Sequence, residues 1–303
     1  MQPNPVLKKL GFQDADRLVI IHTDDIGMCH ASIAAFAELW EFGLISSGAV
    51  MTPCSWFPQV AAFCRQHPDV DLGVHVTLNC EWDAYRWRPL STCDPATGLI
   101  DEEGYLPRTS AAVQKNATPA AVQAELEAQV KLARSAGIQL SHIDTHMGTV
   151  AHPKFIPSYV QTGLKYRLPV MIPRQDVDGY KAIGMDDATA EFAVNFVGLL
   201  EEQGVPLLDN LVGLPLDQPD ERIERAKAVL SGLPAGITHF IIHPCMDTPE
   251  LRAIAPDWRG RVADYQAFSS EELRTWIRGS GIHVIGYRAL LELMKTAHFG
   301  VDA

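Results

Sequence analysis

The sequence lacks the features that mark several classes of protein. No apolar run approaches the roughly 18 residues that a membrane-spanning helix needs, and no apolar segment follows the two lysines near the amino terminus, as it would in a signal peptide. Basic residues are scarce, because 25 lysines and arginines stand against 37 aspartates and glutamates, a net charge of −12. Nucleic acids and anionic membrane surfaces are bound by clustered basic side chains. We therefore expect a soluble cytoplasmic protein that binds neither nucleic acid nor membranes.

Two further absences narrow the class. The six cysteines are scattered and include no C-x-x-C pair, which argues against a zinc ribbon or a disulfide scaffold and favours small buried thiols in a reducing compartment. No G-x-G-x-x-G follows the first apolar run, so we do not expect a dinucleotide site. The chain also contains no low-complexity linker, and we expect residues 1–303 to form a single domain.

What the sequence does contain is an alternation of short apolar runs with helical patterns. Strands that are apolar throughout are typical of a parallel sheet buried on both faces. Seven or eight such units predict an α/β fold, namely a single (β/α) barrel that is distorted or seven-stranded, with a doubly wound open sheet as the alternative. The predicted strands cover residues 18–21, 46–51, 72–78, 140–144, 170–172, 239–243 and 283–285, with a weaker candidate at 205–208.

Helix-end signals and one long irregular segment complete the outline. Thr118-Pro119 predicts the start of a helix that stops at Gly137, and Ser269 with Glu272 has the spacing of a capping box. Residues 81–116 show no sustained period, and we interpret them as a long loop inserted in the barrel domain. Loops of this length in a small domain are usually functional or disordered.

Polar residues interrupt or follow four of the apolar runs. In a parallel α/β fold, ligands bind at the carboxyl ends of the strands, so these side chains are expected to meet. Each has a simpler explanation when taken alone: an aspartate can cap a helix, a histidine can be a core residue, and His-Pro is common in turns. Together, two histidines and a carboxylate, with a further carboxylate and histidine beside them, are the inventory of a catalytic metal site. The residues are Asp24, Asp25, His75, His146 and His243, and Asp144 is a third carboxylate near them.

The motifs around these residues are similar to those of the YdjC-like family of carbohydrate deacetylases, which includes chitooligosaccharide deacetylases. In order along the chain they are TDDIG, LISSGAVM, LGVHVTLN, SHIDTH, IIHP and RVADYQAF, and they extend from about Leu18 to Leu291. The first and third of these motifs are the more specific. The resemblance implies a distorted (β/α) barrel, a divalent metal and hydrolysis of an N-acetyl group.

The resemblance also implies roles for individual residues. Asp25, His75 and His146 correspond to the metal ligands, one ion per chain. Asp24 corresponds to the general base of related metal-dependent deacetylases, and His243 to the general acid. A ligand set of one carboxylate and two imidazoles accepts zinc and other divalent ions, so Zn²⁺ and Mg²⁺ both remain candidates.

Physical reasoning is compatible with these roles. Neighbouring aspartates point to opposite faces of a regular strand, but both can approach one site at the strand end, where the chain turns through Gly27. A carboxylate next to the cation can take a proton from bound water, and a histidine is suited to protonating the leaving amine. Asp144 lies two residues before His146, and we expect it to orient a ligand histidine rather than to bind the metal itself.

The substrate side departs from the family pattern. Many members carry several alternating histidines after the aspartate, whereas this chain continues from His146 as Met-Gly-Thr-Val, and EWDAYRWRPL replaces a short polar link after the third motif. Trp82, Tyr85 and Trp87 could stack on a sugar ring, or could simply pack the loop onto the barrel rim. Arg174 is a further candidate for contact with the substrate.

Three functions remain open at this point. The first is a metal-dependent deacetylase of an N-acetylated sugar or sugar conjugate. The second is a metal-dependent hydrolase of another amide, ester or phosphoester, which the altered residues after His146 keep open. The third is a sugar-binding relative without catalysis, although that would predict the loss of Asp24 or His243, and both are present. A homo-oligomer is compatible with the sequence, which does not indicate the oligomeric state.

Overall fold

The apolar runs form the strands of one parallel sheet. The computed structural model describes residues 2–182 and 184–296, and every strand pairing within them is parallel. The strand order is β4-β3-β2-β1-β6-β5, and β7 pairs with β1 outside this path. The strands are β1 Arg17–Ile26, β2 Ser47–Val50, β3 Leu72–Val76, β4 Leu140–Thr145, β5 Asn210–Gly213, β6 Gly236–Ile242 and β7 Ile282–Val284.

The sheet closes on itself through residues 170–173, which we call the closing segment. Isolated parallel bridges join Ile143 of β4 to Val170, and Pro173 to Leu208 just before β5. The predicted α/β barrel is therefore confirmed, and its distortion lies at this weakly paired seam. The candidate strand at 205–208 is misplaced, because only Leu208 forms a bridge and the strand itself begins at Asn210.

Helices surround the sheet on its outer side. In the described residues they are α1 Pro5–Lys9, α2 His30–Phe42, α3 Phe57–Gln66, α4 Ser110–Asn116, α5 Pro119–Ser135, α6 Ile156–Tyr166, α7 Val177–Ala182, α8 Asp187–Glu202, α9 Arg222–Ser231, α10 Pro249–Ile254, α11 Trp258–Phe268, α12 Glu271–Gly279 and α13 Tyr287–Thr296, with 3₁₀ turns at Pro95–Thr97 and His146–Gly148. No helix among these is both long and apolar enough to cross a membrane.

Helix starts follow from local capping. The predicted cap of α5 is confirmed, because the Thr118 hydroxyl accepts a hydrogen bond from the Ala121 N–H at 3.2 Å. The predicted capping box before α12 is displaced by one residue. Ser269 terminates α11, since its N–H donates to the Tyr265 carbonyl, and Ser270 caps α12 instead.

One end of the barrel is closed by the amino-terminal helix. Val6 and Leu7 of α1 are buried in one apolar cluster with Leu18, Ile20 and Ile237, which lie near the beginnings of β1 and β6. Burial of this surface removes apolar area from water and stabilises the closed end. The strands have their carboxyl ends at the opposite end of the barrel, which is the end where barrels of this kind bind ligands.

The segment 81–116 is held on the barrel rim by buried side chains of α5. The Glu125 carboxylate accepts hydrogen bonds from the Leu90 and Ser91 N–H groups at 3.0 and 2.8 Å. The Gln129 amide binds both the N–H and the carbonyl of Thr77, just after β3. These contacts satisfy backbone groups that would otherwise be buried without partners, and they fix where the loop leaves β3.

Candidate metal centre

The two adjacent aspartates lie at an irregularity within β1. The register of β1 against β2 shifts between Thr23 and Ile26, and Asp25 has a left-handed backbone with φ of 58°. A bulge of this kind re-aims side chains that would otherwise alternate. As a result, Asp24 Oδ2 and Asp25 Oδ1 lie 3.8 and 3.4 Å from the same atom, His75 Nε2. The carboxylates converge as predicted, but inside the strand rather than after its end.

The three predicted metal ligands lie together at the carboxyl ends of β1, β3 and β4. Asp25, His75 and His146 each offer a ligand atom, and these atoms all lie within 4.8 Å of one another. The His146 Nδ1 atom is 3.0 Å from Asp25 Oδ1. All three residues are buried. Two imidazole nitrogens and one carboxylate oxygen are a donor set that fits zinc and several other divalent ions, with room for a further ligand.

Asp144 contacts one of the two predicted histidine ligands. Its Oδ2 atom lies 2.9 Å from His75 Nδ1, so the predicted positioning carboxylate acts on His75 across the β3–β4 pair. The second oxygen, Oδ1, is buried and has no hydrogen-bond partner among the described residues. A carboxylate on the outer nitrogen of a ligand histidine fixes the ring and its tautomer.

Opposite charges balance one another across the site. Burial by itself lowers the pKa of His146, but Glu81 and Asp25 raise it to about 9. Burial by itself raises the pKa of Asp25, but His146 and Arg261 hold it well below its ordinary value. A histidine binds a metal through a deprotonated ring nitrogen, so a cation bound here would replace a proton on His146.

Two residues that the sequence did not single out complete the surroundings of the ligands. Arg261 of α11 is buried and donates from Nη1 to Asp25 Oδ2 at 2.7 Å, while its Nε donates to Asp257 Oδ1 at 2.9 Å. Glu81, the first residue of the long loop, places Oε2 3.0 Å from His146 Nε2. Arg261 begins the RVADYQAF motif, which was the only sequence signal for it.

His243 faces Asp24 across the site. Its Nε2 atom is 3.8 Å from Asp24 Oδ2, and its side chain is 24% exposed, which leaves it accessible to a substrate. Its backbone N–H donates to Asp264 Oδ2 at 2.9 Å, and Arg222 holds the other oxygen of Asp264 at 2.7 Å. The position of His243 after β6 is therefore fixed by a buried ion pair.

A buried group of aromatic side chains lies behind Asp24. His22 Nδ1 is 2.7 Å from Asp24 Oδ1, and His22 Nε2 is 2.9 Å from His142 Nε2. His142 stacks on Tyr287, with ring centroids 3.7 Å apart, and the Tyr287 hydroxyl lies 2.8 Å from His239 Nδ1. Burial lowers the pKa of both His142 and His239 well below ordinary values, which favours their neutral forms. His22 thus lies closer to the chemistry than the sequence indicates.

The loop aromatics pack against one another beside the site. Trp82 and Trp87 are buried with ring centroids 5.6 Å apart, and the Tyr85 hydroxyl donates to the Met28 carbonyl. Trp87 lies 6.4 Å from the His146 ring. This geometry favours the packing interpretation, and a stacking role toward a sugar stays a prediction.

Arg174 does not reach the metal centre. Its guanidinium is buried and paired with Asp209 at 2.9 Å and with Glu201 at 2.8 Å. Asp209 also accepts a hydrogen bond from Ile237 at the amino end of β6, whereas His243 follows the other end of that strand. The predicted contact between Arg174 and a substrate finds no support in this arrangement.

Cys245 is placed beside the site without a reactive thiol. The side chain is buried, and burial raises the pKa of its thiol well above the ordinary value. A thiolate is the nucleophilic form of cysteine, so this environment disfavours catalysis by Cys245. All six cysteines are free.

Comparison with known proteins identifies the lineage of this site. A model of the YdjC-like protein family matches residues 18–279. The chain belongs to that family. The matched range contains every proposed ligand, as well as Asp24, His243 and Arg261.

Relatives of the chain share most of its length. A protein from Thermus thermophilus named carbohydrate deacetylase is 33% identical over 291 residues, which cover 95% of this chain and 99% of the relative. A carbohydrate deacetylase from Thermoanaerobacter pseudethanolicus is 23% identical over 274 residues, covering 90% and 99%. The crystal structure of a protein from Enterococcus faecalis V583 has a TM-score of 0.72 at 19% identity, covering 91% of this chain and 99% of that chain. The last comparison supports the fold alone.

Proposed function

We propose that this protein is a metal-dependent hydrolase that removes the N-acetyl group from an N-acetylated sugar or sugar conjugate. The observation that carries the proposal is the convergence of Asp25, His75 and His146 within 4.8 Å, with Asp24 and His243 at their side. The sugar component rests on the relatives that are named carbohydrate deacetylases. The metal and the individual roles are implied by the resemblance to the family, and the geometry supports them.

Asp25, His75 and His146 would hold one divalent ion, with Zn²⁺ and Mg²⁺ the first candidates. A bound zinc ion would lower the pKa of its water to about 7 and would polarise a carbonyl group, which supplies both a nucleophile and an electrophile. Asp144 holds the His75 ring through Nδ1, and Arg261 holds the second oxygen of Asp25. The chain thereby fixes two of the three proposed ligands, His75 and Asp25, through atoms that lie away from the proposed ion.

Asp24 is the group placed to accept the proton of the attacking water. Its Oδ1 atom is occupied by His22 at 2.7 Å, which leaves Oδ2 facing the site between His75 and His243. The water oxygen forms the new bond to the acetyl carbon, and the carbon–nitrogen bond then breaks. A positioned general base of this kind contributes about 10²–10⁴-fold to the rate.

His243 is the group placed to donate a proton to the leaving amine. An amide nitrogen must be protonated as it departs, and the Nε2 atom of His243 lies on the open side of the site. The ion pair between Asp264 and Arg222 holds the backbone of His243 in place. The products are then acetate and the free amino sugar.

We also propose that residues 1–303 act as a single domain with the inserted loop 81–116 on its rim, and that the protein works in the reducing cytoplasm. The second point is supported by six free cysteines, of which five are buried. Neither point is required by the chemistry.

Acetate release from a panel of N-acetylated sugars tests the function. Protein stripped of metal should release none, and addition of Zn²⁺, Mg²⁺, Mn²⁺ or Co²⁺ in separate samples should restore release with at least one ion. The measurement is acetate by coupled assay, with metal content determined on the same samples. Release that is equal with and without metal would contradict the proposal, as would tight metal binding without release from any sugar.

Arg261 provides a prediction about stability that does not need a substrate. In Arg261→Gln, the buried Asp25 loses its cationic partner, and removal of one member of a buried pair costs about 3–5 kcal/mol. A bound divalent ion would supply positive charge in its place, so the loss in free energy of unfolding should be smaller when metal is saturating. Urea unfolding with and without metal measures the difference, and Arg259→Gln, an exposed neighbour, is the control. An equal loss under both conditions would show that Asp25 does not face the metal.

A further inference from the structure

A cavity of about 200 Å³ is lined by residues that lie close in the sequence to the proposed metal ligand His146. Thr145 and Gly148, which flank the His146–Met147 pair, form part of its wall. We call this space the rim cavity. Met147 separates it from the metal centre along the chain, has a left-handed backbone with φ of 51°, and is 58% exposed. The cavity wall and the predicted ligand His146 are therefore neighbours along the chain.

The accessible wall of the rim cavity is almost wholly apolar. Helix α8 contributes Phe192, Ala193 and Phe196, and the closing segment contributes Met171 and Ile172. Phe192 is 52% exposed while it also lines the cavity, which places it at the opening. An exposed aromatic ring at an apolar opening is costly unless something covers it.

The size and chemistry of this space restrict its occupant. Water needs two to four polar partners in a buried site, and this wall offers few of them. An apolar cavity of about 150 Å³ in another protein stays dry and binds benzene. The rim cavity is therefore suited to one aromatic ring or a short alkyl chain, and it is a poor site for a sugar hydroxyl group.

We propose that the substrate carries an apolar substituent, a ring or short chain, that fills the rim cavity while its N-acyl group lies at the metal centre. This inference rests on the proposed function and narrows the substrate to an amphipathic sugar conjugate. The apolar group can be attached through the glycosidic oxygen or can belong to the acyl group. Both positions extend away from the carbon–nitrogen bond that is hydrolysed. The occupant is assigned to the substrate because Thr145 and Gly148, which lie on both sides of His146 in the sequence, line the cavity.

The test compares matched substrates of the metal-loaded enzyme. One arm uses the methyl, phenyl and hexyl glycosides of N-acetylglucosamine, and the other replaces the acetyl group of the methyl glycoside with a hexanoyl group. We expect kcat/KM to be about tenfold or more higher for the apolar member of at least one arm, as expected for burial of a ring or chain. In Ala193→Phe, which fills the cavity from α8, this ratio should fall toward one. Leu199→Phe, on the exposed face of the same helix, should leave the ratio unchanged.

The outcomes separate this inference from the function on which it rests. If no compound is hydrolysed, the proposed function fails, and calorimetric binding of phenyl or hexyl glycoside then tests the cavity alone. Binding that is at least about tenfold weaker in Ala193→Phe would still support the cavity; equal binding would overturn it. A ratio near one in both arms, or a ratio that survives Ala193→Phe, overturns the inference even if acetate is released. The inference is also overturned if the wild-type protein is a dimer, Ala193→Phe makes it monomeric, and the kcat/KM ratio does not change. The cavity mouth would then be a subunit interface.

Discussion

Replacement of His75 with alanine is expected to remove both the bound metal and the activity. His75 is one of the three proposed ligands, and its Nε2 atom faces both Asp24 and Asp25. Without His75, only two protein ligands remain, and we expect the metal to be lost. Loss of the metal removes several kcal/mol of transition-state stabilisation, so kcat/KM should fall by about a thousandfold or more. Metal content after dialysis and acetate release are measured on the same preparation.

An exposed histidine serves as the control for this substitution. His283 follows the first residue of β7, outside the barrel ring, and contacts Phe12 rather than the site. His283→Ala should keep one metal per chain and full activity. A His75→Ala protein that keeps its metal with unchanged affinity would show that the metal binds elsewhere in the protein. Circular dichroism distinguishes loss of metal from loss of the fold.

Replacement of Asp24 with asparagine should separate catalysis from metal binding. Asparagine has the same shape but cannot accept the proton at Oδ2, so we expect kcat to fall by about 10²–10⁴-fold while the metal stays bound. Acetate release is compared with metal content across a range of metal concentrations. Asp14→Asn, an exposed aspartate near the amino terminus, controls for the change of charge.

The same experiment tests a different role for Asp24. Asp24 also belongs to a second buried group, with His22, Asp144 and His239, whose ligand atoms lie within 4.8 Å of one another. If Asp24→Asn loses metal together with activity, then Asp24 acts as a ligand and not as the base. If it keeps both metal and full activity, the proton acceptor is another residue.

The ligand set was implied by the resemblance to the YdjC-like family, and its assignment stays a prediction. That Asp25, His75 and His146 would meet could be expected because parallel strands end on the same side of a sheet, and the three residues interrupt or follow apolar runs. The bulge in β1 could not be predicted, because a run of alternating side chains gives no sign of a register shift. The predicted position of β5 was wrong for a different reason. Burial alternates along β5, so the continuous apolar run at 205–208 just before it gave the stronger strand signal.

The supporting charges lie beyond what the sequence can show. Arg261 is 236 positions from Asp25 and reaches it only because α11 packs beside the carboxyl end of the barrel. Glu81 belongs to a loop whose path depends on contacts with α5. Arg174 shows the opposite case, since a loop arginine that suggested a ligand contact is instead held by Asp209 and Glu201. Long-range ion pairs depend on the packed fold, and residue type alone does not indicate the partner.

The weakly paired seam of the barrel has a consequence for how this enzyme can change. The proposed ligands lie in β1, in β3 and directly after β4, and these strands are joined through β2 by ladders of several residue pairs each. The closing segment, joined by isolated bridges, instead forms part of the wall of the rim cavity. Substitutions along the seam are therefore expected to reshape the proposed substrate space without moving the proposed metal ligands. A lineage with this architecture can acquire new substrates while its reaction stays the same.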